Sequence, residues 1–372
     1  MEGWLVGKSP VYYSKEAAAR LWRLGELVLV WLPINYLGIV VQHEIFGHGY
    51  RIRDIRNQRA HVTGYSFGTP PPYGHGGGAT AYRVYEDLTT TEETSIAMAG
   101  VESTAILAQT TKLKWLETNW IDPRQTILYL LSQQDITLYI GSLNTEGTLE
   151  GHDMKGYVRS LNYTYTARPL SCGRLRTLSW INLADPFTYY AVYSWFHYLS
   201  AGKESKIPMI PIWDWGYLPG LRLGLTPFGP EIFVENYLLR GDRPVYFYGK
   251  GGHHSHNGYY GVGLFAPKLW LRHRWSFGAR IDSWWQPKLL LQPAATSILD
   301  IDFDEKPDPN NPLYSYPEQY KKRWGAAGSF LAAYFSRRVG FEAEFGYKAQ
   351  GFLPGYALRA SPVSRLFFSL RF

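Results

Sequence analysis

Residues 362–372 read P-V-S-R-L-F-F-S-L-R-F. Leu366, Phe368, Leu370 and Phe372 fall on one face of an extended chain, and Arg365, Phe367, Ser369 and Arg371 on the other. Alternation with a period of two marks a β-strand. Similar segments, separated by turn residues, recur upstream at 217–226, 230–240, 243–249, 258–272, 274–286, 324–336 and 338–349. About eight strands in one unbroken antiparallel run are expected to close into a barrel, because closure removes exposed edges. Trp and Tyr recur near the strand ends, as in aromatic girdles. Two loops interrupt the run. His253, His254 and His256 lie in G-K-G-G-H-H-S-H-N-G (249–258), which reads as a polar hairpin tip. Leu299–Lys322 is a long polar insertion, whose D-x-D-x-D start fails as a calcium loop because Glu305 stands where Gly is required.

The composition fits this reading. Of 372 residues only 19% are charged while 16% are aromatic, with 29 Tyr, 14 Trp and 18 Phe. That balance excludes disorder and suits a large antiparallel structure or interfacial aromatic belts. A single cysteine, Cys172, excludes an internal disulfide and any cysteine-rich metal site. The net charge of +7 is modest and the basic residues are scattered, so nucleic acid is not an expected partner. The opening M-E-G-W-L-V-G-K-S-P is neither basic nor continuously apolar, unlike a signal peptide, and residues 1–14 read as an arm.

Before residue 205 the periodicity is helical. A helix starts near Lys15, and Leu27–Val41 is nearly all apolar, interrupted by Pro33, Asn35 and Gly38. Glu26 and Pro33 shorten it as a bilayer span, so a buried or membrane-contacting helix is expected. It ends in V-Q-H-E-I-F-G-H-G-Y (41–50). Imidazoles suit zinc, and a carboxylate beside the first ligand can take a proton from metal-bound water. His43 and His48 therefore read as metal ligands and Glu44 as the catalytic base. The histidines stand five apart, which on a regular helix turns the second about 140° away from the first. A π-bulge, with about 4.4 residues per turn, realigns them, and Gly47 sits where the backbone must give. The basic run R-I-R-D-I-R-N-Q-R that follows reads as a solvated helix end, or as a contact for anionic lipid heads.

Residues 61–87, rich in Gly, Pro and Tyr, read as a loop or short hairpin with His61 and His75 as ordinary loop residues. Thr89–Thr91 with Glu92 and Glu93 cap a second helix. On it Glu102 lies among Ala, Gly, Val and Ile, where an unpaired carboxylate is costly. Glu102 is the expected third metal ligand, the alternative being a buried pair with an Arg or Lys from elsewhere. Asp122 and Pro123 start a third helix, and Asp185 and Pro186 another. Between them His152 and Asp153 occupy a turn before a short helix. Asp153 reads as an N-cap, and His152 as a catalytic hydrogen-bond donor or substrate orienter. His197 reads as a packed residue.

The run His43-Glu44-Ile45-Phe46-Gly47-His48 resembles the H-E-x-x-G-H motif of the dipeptidyl peptidase III family of zinc peptidases. The resemblance implies zinc held by His43, His48 and Glu102, with Glu44 as general base. The broader gluzincin arrangement, two histidines on one helix and a glutamate on a later one, implies the same set. Separately, S-R-L-F-F-S-L-R-F resembles the last strand of bacterial outer-membrane β-barrel proteins, which implies the outer membrane of a Gram-negative bacterium. An inner-membrane peptidase in the style of site-2 proteases is the alternative. The expectation is an α+β chain: a helical zinc-peptidase-like domain over 1–204 and an antiparallel outer-membrane-type barrel over 205–372. Its partners would be a peptide or protein substrate and a lipid bilayer, and its cofactor Zn2+. A non-catalytic barrel protein with a structural or degenerate metal site, acting in binding or assembly, is the competing function.

Overall fold

A computed structural model describes residues 16–55, 59–142, 152–291, 321–336 and 339–370. The arm at 1–14, nearly all of the insertion 299–322, and Arg371 and Phe372 lie outside these residues. The first helix, α1, runs from Glu16 to Arg53 and is long and apolar enough to cross a membrane, by length and composition only. Two π-helical segments interrupt it, Glu26–Trp31 and Gln42–Gly49. Pro33 brings no N–H to the Leu29 carbonyl one turn back, and the Tyr73 hydroxyl donates to that oxygen instead at 2.7 Å.

Strands β1 (Ala60–Phe67) and β2 (Gly78–Val84) form an antiparallel hairpin lying against α1. Next come α2 (Thr90–Thr118), a two-residue strand β3 (Trp120–Ile121), α3 (Thr126–Gly141), α4 (Asp153–Thr164), α5 (Cys172–Ser179) and α6 (Pro186–Ala201). The caps of α2, α3 and α6 fall where the sequence places them, whereas at α4 His152 rather than the expected Asp153 is the N-cap. Thr89 and Glu92 form a reciprocal capping box at α2, and Asp185 accepts from the Phe187 N–H at α6. Asp122 caps a 3-10 turn leading into α3.

After β4 (Ser205–Lys206), which pairs with β3, nine strands form one antiparallel meander. They are β5 (Ile210–Ile212), β6 (Trp215–Thr226), β7 (Gly229–Arg240), β8 (Arg243–His254), β9 (Asn257–Arg272), β10 (Trp275–Pro287), β11 (Lys322–Phe335), β12 (Val339–Lys348) and β13 (Ser361–Leu370). Every expected strand is present. The expected barrel is not, because β5 and β13 form the two edges of the sheet and do not pair with each other. Helices cover the inner face: α2 packs against β6 and β8, and both large apolar cores mix helix and sheet residues. One joins Met98, Val101 and Tyr157 to Leu223 and Tyr259, and the other joins Trp115, Tyr129 and Phe187 to Phe233 and Tyr237. Helix gives way to strand near residue 205, and the two halves bury their apolar surfaces against each other.

Beside these apolar cores the sheet buries charged residues on its inner face and exposes apolar ones on its outer face. Glu231, Glu235, Lys250, Asp282, Glu344 and Lys348 are no more than 7% exposed, whereas Val262, Ile281, Phe330, Phe345, Leu366 and Phe368 are 53–66% exposed. Buried charges are costly unless they are paired, and these are held in a network. The Glu235 carboxylate accepts from Arg222 at 3.1 Å, Lys112 at 3.2 Å, Tyr237 at 2.9 Å and Tyr246 at 3.0 Å, while Lys112 also pairs with Asp185. Lys250 pairs with Glu231 at 3.1 Å and Arg280 with Asp282 at 2.9 Å.

Candidate metal centre

The π-helical segment Gln42–Gly49 places His43 and His48 on the same side of α1, with ring centroids 5.0 Å apart. Gly47 and Gly100 make this possible by letting α1 and α2 touch. A Cβ on Gly47 would lie 2.7 Å from the Ala99 carbonyl oxygen, and one on Gly100 would lie 2.1 Å from His43 Nε2. The glycine expected to yield in the bulge is therefore also the point of helix contact.

His43 Nε2 and His48 Nε2 converge on Asp153 Oδ2, at 3.1 and 3.0 Å. The outer ring nitrogens are also engaged: His48 Nδ1 faces the Ile96 carbonyl at 2.8 Å, and His43 Nδ1 faces Asp135 Oδ2 at 3.1 Å. Toward a carbonyl, Nδ1 must donate, which leaves the lone pair of a neutral His48 on Nε2. The same holds for His43 against Asp135, whose carboxylate also accepts from Thr104 at 2.8 Å. In that form two lone pairs and the Asp153 carboxylate oxygen converge on one position, where a cation can stand between them; with no cation there, protons on the rings bridge to Asp153 instead. In a tetrahedral zinc site, ligand atoms at about 2.0–2.1 Å from the metal lie roughly 3.3 Å apart. The two separations to Asp153 Oδ2 are close to that spacing, all three donors lie within 4.8 Å of one another, and the outer partners fix the rings as such ligands require. With three protein donors, a fourth position stays open for water or substrate.

Glu102 is not at this centre. Both of its oxygens accept from Arg51, at 2.8 and 2.9 Å, and one also accepts from the Gly355 N–H at 2.7 Å. The carboxylate among small residues is thus stabilised by an arginine, and Asp153 takes the place assigned to Glu102. Arg51 belongs to the basic run after the motif; it is 1% exposed rather than solvated. Asp153 opens α4 in its first turn, with His152 in the N-cap position. Burial alone would raise its pKa, but hydrogen bonds from His43 and His48 hold the carboxyl well below the usual range.

Glu44 is buried beside the histidines, and Thr80 on β2 donates to its Oε2 at 2.7 Å. The Tyr139 ring stacks on His43 at 5.3 Å, and the His152 ring meets Tyr139 edge-on at 5.3 Å. His152 Nε2 lies 3.4 Å from the Ser142 hydroxyl. His152 is therefore one ring removed from the centre. Near the start of α2, burial pushes Glu93 up to about 7, partly opposed by Arg159 and the Ser160 hydroxyl.

The sequence reading missed Asp135, Asp153, Tyr139 and Thr80 as site residues. Asp135 carried a signal, a lone carboxylate in the apolar stretch L-Y-L-L-S-Q-Q-D-I-T-L-Y-I (128–140). Among the described residues, His43, His48 and Asp153 form the one cluster able to hold a metal ion, and His253, His254 and His256 do not assemble into another. Comparison with protein-family models, with curated proteins and with solved structures gives no match.

Proposed function

We propose that the chain is a membrane-embedded zinc-dependent metallopeptidase of the outer-membrane type. One observation carries the catalytic half of this reading: His43 Nε2, His48 Nε2 and Asp153 Oδ2 converge, and Glu44, the residue after the first histidine, is a buried carboxylate. Bound zinc would acidify water and polarise the scissile carbonyl at the open position. Glu44 accepts the proton of the attacking water and returns it to the leaving amine. Thr80 fixes the orientation of that carboxylate through its hydrogen bond to Oε2. Asp135 and the Ile96 carbonyl hold the two imidazoles. His152, at the start of α4, orients the substrate at the rim.

The inverted polarity of the sheet supports the bilayer as partner. A sheet facing water exposes polar residues, whereas this one carries its ionised groups inside and its Val, Ile, Leu and Phe outside. The outer face also has aromatic borders. Trp285 is paired with Tyr260 and Trp324 near one end of β10, and Trp275 is paired with Tyr334 near the other. The ten residue steps from Trp275 to Trp285 extend about 33 Å, or about 25 Å along the normal at a tilt near 40°. That matches the apolar band of an outer-membrane protein.

The test is hydrolysis of a mixed peptide library by the purified zinc form. Glu44→Gln is expected to keep the metal and lose roughly 100- to 10,000-fold in rate. Retained zinc with no hydrolysis by either protein would favour a structural metal site in a binding or assembly module.

A further inference from the structure

We infer that the substrate is a polypeptide held at the membrane surface and cut close to its anchor. The inference rests on the peptidase and bilayer readings and follows from the height of the metal centre along the sheet. Arg51 lies on α1 immediately after the motif and pairs with Glu102 at 2.8 Å. Its guanidinium is 5.9 Å from the Phe352 ring, and Lys250 lies on the same ring at 5.8 Å while pairing with Glu231 at 3.1 Å. In the ladder Glu231 is opposite Gly252, and Gly252 is opposite Tyr259. The next residue, Tyr260, is opposite Trp285, which is opposite Trp324. These contacts tie the motif end of α1 to the end of the sheet that carries this aromatic border, and we place the centre near it.

A second link gives the same height. Tyr157, one helical turn after Asp153 on α4, donates its hydroxyl to the Thr226 carbonyl at 3.0 Å, at the end of β6 where the chain turns into β7. Aromatic borders mark where hydrocarbon gives way to headgroups. The rim suits that boundary. Leu138, next to Tyr139, and Tyr82, two residues after Thr80, are 56% and 43% exposed. A peptide bond reaching this height belongs to a chain already resident at the surface, such as the stretch just outside a lipid or helical anchor.

The experiment uses the full chain in phospholipid vesicles and one mixed-sequence peptide library, prepared with and without a dipalmitoyl anchor. Cut positions are read by mass spectrometry, with Glu44→Gln as control. The expected result is at least about tenfold more zinc-dependent product from the anchored library. Its cuts should fall within about five extended residues, or ~17 Å, of the anchor. Equal rates, or cuts spread without regard to the anchor, would overturn the inference while leaving the peptidase reading intact. No cleavage of either library overturns both. Height is also read without turnover, from a spin label at Leu138→Cys in a Cys172→Ser background. Accessibility to oxygen and to a water-soluble nickel chelate should place it at headgroup depth; a fully aqueous label contradicts the inference even where hydrolysis occurs.

Discussion

The His43 imidazole fills the space that a side chain at Gly100 would need. A methyl group at residue 100 would stand 2.1 Å from His43 Nε2, so the imidazole lies where any side chain on α2 would begin. Gly100→Ala must therefore push the ring off its line to Asp153. We expect zinc affinity to fall by more than about tenfold with helical content kept. Gly25→Ala, where nothing lies within 4 Å, is the control and should leave the metal untouched. Competition with a chelator measures both, and equal affinities would contradict the packing argument.

Glu102 gives the opposite pattern. Its partner Arg51 is almost fully buried, so Glu102→Ala leaves that charge with the longer pair to Asp54, at 3.5 Å, and the Tyr356 carbonyl, at 3.0 Å. The expected cost is about 3–5 kcal/mol of stability, with zinc stoichiometry unchanged. Thermal melting beside metal analysis separates the two effects. Loss of zinc without loss of stability would return Glu102 to the metal.

Glu93 links pH to stability. Its carboxyl ordinarily titrates at 4.5 and burial holds it up to about 7, so between these values the folded chain keeps a proton that the unfolded chain releases. Stability from this group is therefore full below the lower value and is lost as pH rises through about 7, by something of order 2–3 kcal/mol. Glu93→Gln should remove that slope. Melting curves of both proteins between pH 4.5 and 8 read it as a difference, and parallel curves would contradict it.

Local physics made much of this molecule legible. The strands alternate, Thr89 and Glu92 cap α2, and the five-residue histidine spacing calls for the π segment that α1 contains. What stayed hidden was long-range. Asp153 already had a local explanation at the start of a helix, and nothing near it in sequence points to histidines 105 and 110 residues away. Glu102 was legible as a buried carboxylate needing a cation, but not which cation; Arg51 looked like part of a solvated basic run. Closure of the sheet depends on whether β5 meets β13. Alternation within strands does not encode that, nor that helices pack against the inner face of the sheet.

Whether His43, His48 and Asp153 hold a catalytic zinc is read from zinc content and X-ray absorption on the folded wild type and Asp153→Ala. We expect one zinc per wild-type chain, bound by two imidazoles and a carboxylate oxygen, and its loss in the variant. A folded wild type that binds no zinc, or an Asp153→Ala protein that keeps it with unchanged coordination, would rule this centre out.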